Sequence, residues 1–247
     1  MKKFAYAVMA LLLITLTFVS CGQSDMRYVK EKGVLVIGIT EYEPMHVKTE
    51  DGWMGFDAEL AKEVASRLEL EVQFEIIDWE DKVDLLKSKE IDCVWNGYTI
   101  NSDDDVTFSA PYAKCDQILV CNSANKDKYT SLDSLSGVSV AVERGSASEK
   151  LVKTSDANIK SFTTQKECLL QVGEGNIEAC IVDRTIFNTL VHYDLVCSAV
   201  LKSDEFGIGF RKGSDMAPKF NAIISDLIND GTLSSLAKKY EIELIKE

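Results

Sequence analysis

The sequence predicts an α/β protein folded as a two-lobed clamshell. Each lobe is a mostly parallel sheet flanked by helices, and two hinge strands join the lobes. Three observations carry that prediction. Short apolar runs of strand length alternate with segments of helical periodicity, as parallel sheets covered on both faces require. The alternation runs twice, and both series end on an apolar strand that leads into a polar residue. Two further extended runs are placed to carry the chain from one series to the other and back, which independent domains in tandem would not need.

The first series opens with Val34-Leu35-Val36-Ile37-Gly38-Ile39, a buried strand. Asp57 then reads as the cap of a helix whose apolar positions Leu60, Ala61, Val64 and Leu68 share one face. A strand over 72–77, a helix near 80–88 and a strand over 91–95 follow. The second series begins near Gly137, with a strand over 138–142, a helix from Ser148, a strand over 159–162, a helix over 164–172 and a strand over 177–182. Its end, Ala179-Cys180-Ile181-Val182-Asp183, matches Asp92-Cys93-Val94-Trp95-Asn96 in the first series. Asp116 to Cys121 and Glu205 to Phe210 read as the two crossings. Helices over 216–229 and 233–240, split by Asp230-Gly231, close the chain. The implied boundaries are 34–117 with 208–247 for the first lobe, 122–203 for the second, and 118–121 with 204–207 for the hinge. Ligands of open parallel sheets sit beyond the carboxyl ends of the strands, so Asn96 and Asp183 are expected to point into one cleft between the lobes.

The N-terminus reads as an export signal over residues 1–20. Lys2 and Lys3 precede an apolar run from Phe4 to Val19 that is shorter than the roughly 20 residues a spanning helix needs. Ser20-Cys21-Gly22 resembles the lipobox of bacterial lipoproteins, with Phe18 where leucine is usual. That resemblance implies lipidation at Cys21, a linker over 21–33 and a location at the cell membrane, facing the periplasm or the outside. Without Lys2 and Lys3, 25 basic side chains face 40 acidic ones, a net charge of −15. Such acidity excludes a nucleic-acid binder, which needs basic surface against phosphates. Cys93, Cys115, Cys121, Cys168, Cys180 and Cys197 form no CxxC pair and lie in apolar runs, so buried free thiols are expected. With only His46 and His192 beside them, no metal site and no cofactor is expected.

From Val34 onward the chain resembles the solute-binding proteins of polar amino-acid ABC importers. The resemblance is carried by Gly38 to Met45, by Gly55-Phe56-Asp57 with Leu60-Ala61, by Ile91-Asp92, by Trp95 to Ile100 and by Phe108 to Tyr112. The second half adds Leu132, Leu135 and Gly137, then Gly145-Ser146, Asp183, Gly207-Ile208-Gly209 and Asp230 to Leu233. It implies a monomer that captures a small polar amino acid and hands it to an importer permease. Asp183 would hold the ligand's α-amino group, helped by groups near Gly97, Thr99 and Ser146. Tyr42 would cover one face of the ligand, and Trp79 would line the pocket. Asn96, Tyr98, Ala147 and Gln117 complete the expected lining. The chemistry is general: a buried carboxylate gains charge-assisted bonds from an ammonium, and aromatic faces favour cations and apolar stems.

One departure stands out. Members of that family follow Thr-Ile with an arginine that grips the ligand carboxylate in two parallel bonds. Here Thr99-Ile100 runs into Asn101 to Thr107, Asp104 falls where the arginine would be, and no arginine lies between Arg67 and Arg144. Arg144 or Arg184 could supply the fork from the other lobe. Otherwise the ligand is a cationic amine without a carboxylate, for which Trp53, Trp79 and Trp95 with Tyr42, Tyr98 and Tyr112 offer aromatic surface. A third reading is an exported enzyme like cyclohexadienyl dehydratase, with His46 or Glu143 as acid or base. No nucleophile or phosphate loop accompanies them, so binding without chemistry is expected.

Overall fold

A computed structural model describes residues 24–102, 104–189 and 194–245. The expected signal over 1–20 and the lipidation site Cys21 lie outside these residues. In place of the linker expected over 21–33, helix α1 covers Asp25–Lys32, capped by the Ser24 side chain and ended by Gly33 at φ 75°. Met26 and Val29 anchor it in the core, each apolar side chain contributing roughly 1.5–3 kcal/mol. The Asp25 carboxylate holds Arg211 at 3.1 Å.

The elements then run β1 (Val34–Ile39), β2 (Val47–Thr49), β3 (Gly52–Met54), α2 (Phe56–Arg67), β4 (Glu71–Ile76), a 3-10 turn (Trp79–Asp81), α3 (Lys82–Ser88), β5 (Cys93–Thr99), β6 (Val106–Phe108) and β7 (Ala113–Asn122). The second half holds β8 (Ser139–Glu143), α4 (Ala147–Val152), β9 (Asn158–Phe162), α5 (Gln165–Gly173), β10 (Ala179–Asp183) and α6 (Arg184–Phe187). A long β11 (Leu195–Arg211) returns, followed by α7 (Met216–Asn229) and α8 (Thr232–Tyr240). The alternation read from the sequence is present in both halves.

Among the described residues a nine-stranded sheet runs through the molecule in the order β4-β1-β5-β11-β7-β10-β8-β9, with β6 also on β11. Within each lobe the core strands pair in parallel: β1 with β4 and β5, and β8 with β9 and β10. The two crossing strands pair antiparallel with each other and with their neighbours. β7 joins the second lobe's ladder at Gln117↔Asp183, and β11 joins the first lobe's ladder at Phe206↔Thr99. The strip that pairs only crossing strand with crossing strand is therefore Lys114 to Asp116 against Ser203 to Glu205. Residues 118–121, expected as hinge, lie inside the second lobe's ladder, because their apolar side chains pack in both faces of that sheet.

Candidate functional site

The first-lobe wall of the cleft is built by a turn and a strand bend. β1 ends into Thr40-Glu41-Tyr42, and β5 bends at Gly97, whose φ of 59° suits a residue without a side chain. A Cβ there would come 2.5 Å from Tyr42 Cε1. Asp57 pins this bend. The sequence suggested a helix cap, but Gly55 occupies the cap position of α2, and Asp57 is fully buried in its first turn. Its carboxylate accepts the Gly97 N–H at 2.7 Å and the Tyr112 hydroxyl at 3.0 Å. Burial raises this carboxyl to about 7 despite those bonds.

Trp79 and Tyr98 meet edge to face at 5.2 Å on the same wall. Against them lies Lys82, at the start of α3. Its Nζ sits 4.9 Å from the Trp79 ring centre and 5.5 Å from that of Tyr98, and donates at 2.9 Å to the Trp79 carbonyl. Burial lowers its pKa to about 8, with the charge of Asp104 opposing.

The second-lobe wall is acidic. Asp183 ends β10 at the cap position of α6 but makes no capping bond. Its carboxylate instead accepts from the Tyr42 hydroxyl at 2.9 Å, Gln165 Nε2 at 2.7 Å, Cys115 Sγ at 3.2 Å and Gln117 Nε2. Burial still raises its pKa above the usual aspartate value. Glu143 ends β8 and is buried too. Burial first, then the nearby Asp183 charge, push its carboxyl up to about 8 against bonds from Gln165. Ser146 spends its side chain capping α4, accepting the Glu149 N–H at 3.1 Å.

The walls touch at several places. The Tyr42 hydroxyl reaches Asp183, Lys82 Nζ donates to the Gly145 carbonyl at 2.9 Å, and Lys150 Nζ donates to Asp104 at 2.6 Å and to Asn101 at 3.3 Å. Burial alone would raise the Asp104 carboxyl. The bonds from Lys150, Tyr98 and Asn101 outweigh that and hold it below its usual value.

Of the residues singled out from the sequence, Tyr42, Trp79, Asn96, Gly97, Tyr98, Thr99, Asp104, Glu143, Ser146, Ala147 and Asp183 border one cleft. Gln117 stands behind Asp183 and orients it. The Asn96 amide does not point at a ligand: with its nitrogen toward His46 Nδ1 (2.8 Å) and the Thr40 carbonyl (3.1 Å), and its oxygen toward Thr40, every group is paired within the first lobe. Neither arginine offered as a fork reaches the cleft. Arg144 is half exposed and 3.8 Å from Glu80, and Arg184 pairs with Asp116 at 3.0 Å. His46 is buried among Trp53 and Phe74, outside the cleft lining, where burial lowers its pKa to about 3. Trp95 packs on Tyr112 and Phe220, away from the cleft. Lys82, Lys150 and Gln165 were missed. Gln165 had a readable signal, since it follows the carboxyl end of β9, where the strand-end rule places ligand groups. The described residues hold no group of three or more His, Cys, Asp or Glu side chains that could ligate a metal. All six cysteines beyond Cys21 are free, five of them buried and Cys197 partly so.

Comparison with known proteins agrees with this architecture. The family described as bacterial extracellular solute-binding proteins, family 3, matches residues 35–243. The arginine-binding extracellular protein ArtP of Bacillus subtilis is 29% identical, covering 97% of this chain and 98% of its own. The L-cystine-binding protein TcyJ of Escherichia coli is 28% identical over 86% of this chain and 84% of its own. Among solved structures, a mutant of ArgBP from T. maritima superposes with a TM-score of 0.82 at 28% identity, covering 87% of this chain and 98% of that one.

Proposed function

The chain belongs to the bacterial extracellular solute-binding proteins of family 3, and from that premise we propose that it captures a polar amino acid between its lobes for an ABC importer. The observation that carries this reading is the division of charge across the cleft. One wall presents the buried Asp183 carboxylate and the Glu143 carboxyl, which an arriving ammonium would deprotonate, the other an aromatic pair with an ammonium beside it. A zwitterion matches both walls, with its ammonium on the acidic side. Ligand meets the aromatic wall in the open state, and closure brings the acids onto it. Only contacts made in the closed state shift the equilibrium between the two.

The relatives support the amino-acid class, being named for arginine and cystine binding. A carboxylate-free amine is the weaker reading, since the aromatic faces of Trp79 and Tyr98 are already occupied by the Lys82 ammonium. The family is extracellular, so the chain is an exported one. A lipid on Cys21 would keep it beside the permease, and it acts as a monomer without chemistry on its cargo.

A thermal-shift screen of the chain from Cys21 onward against the common amino acids and their decarboxylated amines tests this. At a hundred times its Kd a ligand adds about 2.7 kcal/mol, a rise of roughly 5–10 °C for a chain of this size. No rise with any amino acid overturns the reading.

A further inference from the structure

Lys82 stands beside the cleft lining, against Trp79 and Tyr98, and differs from the cations in and around the cleft. Lys150 is paired with Asp104, while Arg144 and Arg184 face Glu80 and Asp116 outside it. Lys166 is exposed. The Lys82 residue is only 4% exposed, and both of its hydrogen bonds go to neutral carbonyls, of Trp79 and Gly145. Among the described residues no carboxylate pairs with it. An ammonium taken out of water and left without an anion is costly, and carbonyls with two ring faces recover only part of that cost. Its third N–H donor remains to be used. The three groups around it, Trp79, Tyr98 and Gly145, all border the cleft.

We propose that Lys82 is the receptor for the carboxylate of the bound amino acid, completing an ion pair that the protein leaves open on its first-lobe wall. This rests on the amino-acid reading above and names the orientation of the cargo. The carboxylate lies toward Trp79 and Tyr98, and the ammonium toward Glu143 and Asp183. Lys82 thereby does the task for which neither arginine is in place. With a pKa lowered only to about 8, its ammonium persists at neutral pH. The contact with Gly145 ties it to closure as well, since that carbonyl belongs to the opposite lobe.

The test crosses protein and ligand. The native chain and Lys82→Met are titrated by calorimetry with L-arginine and agmatine, and with L-cystine and cystamine, followed by whichever other amino acid the thermal screen selects and its amine. In the native chain the amino acid should bind about 100-fold more tightly than the amine. In Lys82→Met that ratio should collapse to within about threefold, the amino acid losing far more affinity than the amine, which loses only what the Gly145 contact adds to closure. Lys82→Gln keeps donors for the Trp79 and Gly145 carbonyls, and should show the same collapse if the methionine variant does not fold. An amino acid and amine weakened equally would make Lys82 a closure contact only and overturn the proposal, as would an unchanged ratio. A native chain that binds amines as tightly as amino acids would instead overturn the amino-acid reading itself, and this inference with it.

Discussion

The two walls of the cleft carry opposite charge and are stabilised in opposite ways. On the second lobe, Asp183 receives bonds from four side chains, so its carboxylate is held in one orientation whatever else the cleft contains. On the first lobe, Lys82 has ring faces and carbonyls, and among the described residues no carboxylate in contact with it, Asp104 acting only from a distance. The acidic wall is thus organised by the protein, while the cationic one is left to be completed. A buried charge lacking its partner is tolerated only where function repays it, and charge pairs formed in such a place carry large coupling energies.

The largest effect should follow from neutralising the organised wall. Asp183→Asn keeps the shape but loses the charge, and it sets an amide N–H₂ against the donors of Gln117, Gln165 and Tyr42. Removing one member of a buried charge pair typically costs about 2–5 kcal/mol, so amino-acid affinity should fall roughly 30- to 4000-fold by calorimetry. Truncation to alanine is the poorer test, because it leaves those donors unpaired and destabilises the fold itself. Affinity within threefold of native would place the ammonium elsewhere and dissolve the contrast between the walls.

The first wall depends on backbone shape more than on charge, and Gly97→Ala probes that. The bend at φ 59° costs an alanine about 1–2 kcal/mol, and its Cβ would press on the Tyr42 ring. Amino-acid affinity should drop about tenfold through displacement of Tyr42, with a fall of several degrees in melting temperature. A variant that loses stability but keeps its affinity would show that Tyr42 does not shape the site.

Titration separates the walls by sign. Glu143 binds its proton up to about pH 8 in the fold and to about 4.5 when unfolded, so its contribution is full below 4.5 and is lost as pH rises to 8. Lys82 is lowered from 10.5 to about 8, so the unfolded chain binds more protons between those values and stability recovers there. His46, lowered to about 3, works against Glu143 below pH 6.5, and Asp57, raised to about 7, works with it. The difference between native and Glu143→Gln melting curves isolates the acid: the variant should gain on the native chain from pH 5 to pH 8. Amino-acid affinity of the native chain should rise up to tenfold per pH unit over the upper part of that range, as ligand displaces the Glu143 proton, and should stay flat in the variant. A flat native profile would make Glu143 a spectator.

Much of this was legible because strand and helix periodicity is local. The parallel order, the strand end at Asp183 and the terminal helix over 216–229 follow from apolar spacing alone. What escaped was set by packing between segments distant in the chain. Asp57 looks like any first-turn acid until Gly97, 40 residues away, donates to it. Asn96 and Asp183 look equivalent in sequence, yet His46 and Thr40 absorb the first while the second faces the cleft. Lys82 was invisible because a lysine early in a helix is ordinarily solvated, and only the 3-10 turn before it and the opposing Gly145 bury it. The helix α1 was read as linker because its eight residues are mostly polar, with just Met26 and Val29 to hold it.

The smallest expected effect is at the rim, where the sign of the walls is exchanged: an acid from the first lobe, Asp104, meets a lysine from the second, Lys150. The Lys150 side chain is 39% exposed, so solvent and salt screen the pair, and exposed pairs are worth about 0.2–1 kcal/mol. Lys150→Ala should weaken amino-acid binding about two- to fivefold, acting on closure alone, and Asp104→Ala slightly more because Tyr98 also loses its acceptor. The double variant should cost no more than the larger single one, since both remove the same contact. Raising salt from about 0.05 to 0.5 M should erase most of the difference from native, while the loss in Asp183→Asn persists, because a desolvated carboxylate is screened far less. If Lys150→Ala instead matched the loss expected of Lys82→Met, the cationic task would belong to the rim, and the contrast between an organised acidic wall and an open cationic one would have to be redrawn around Lys150.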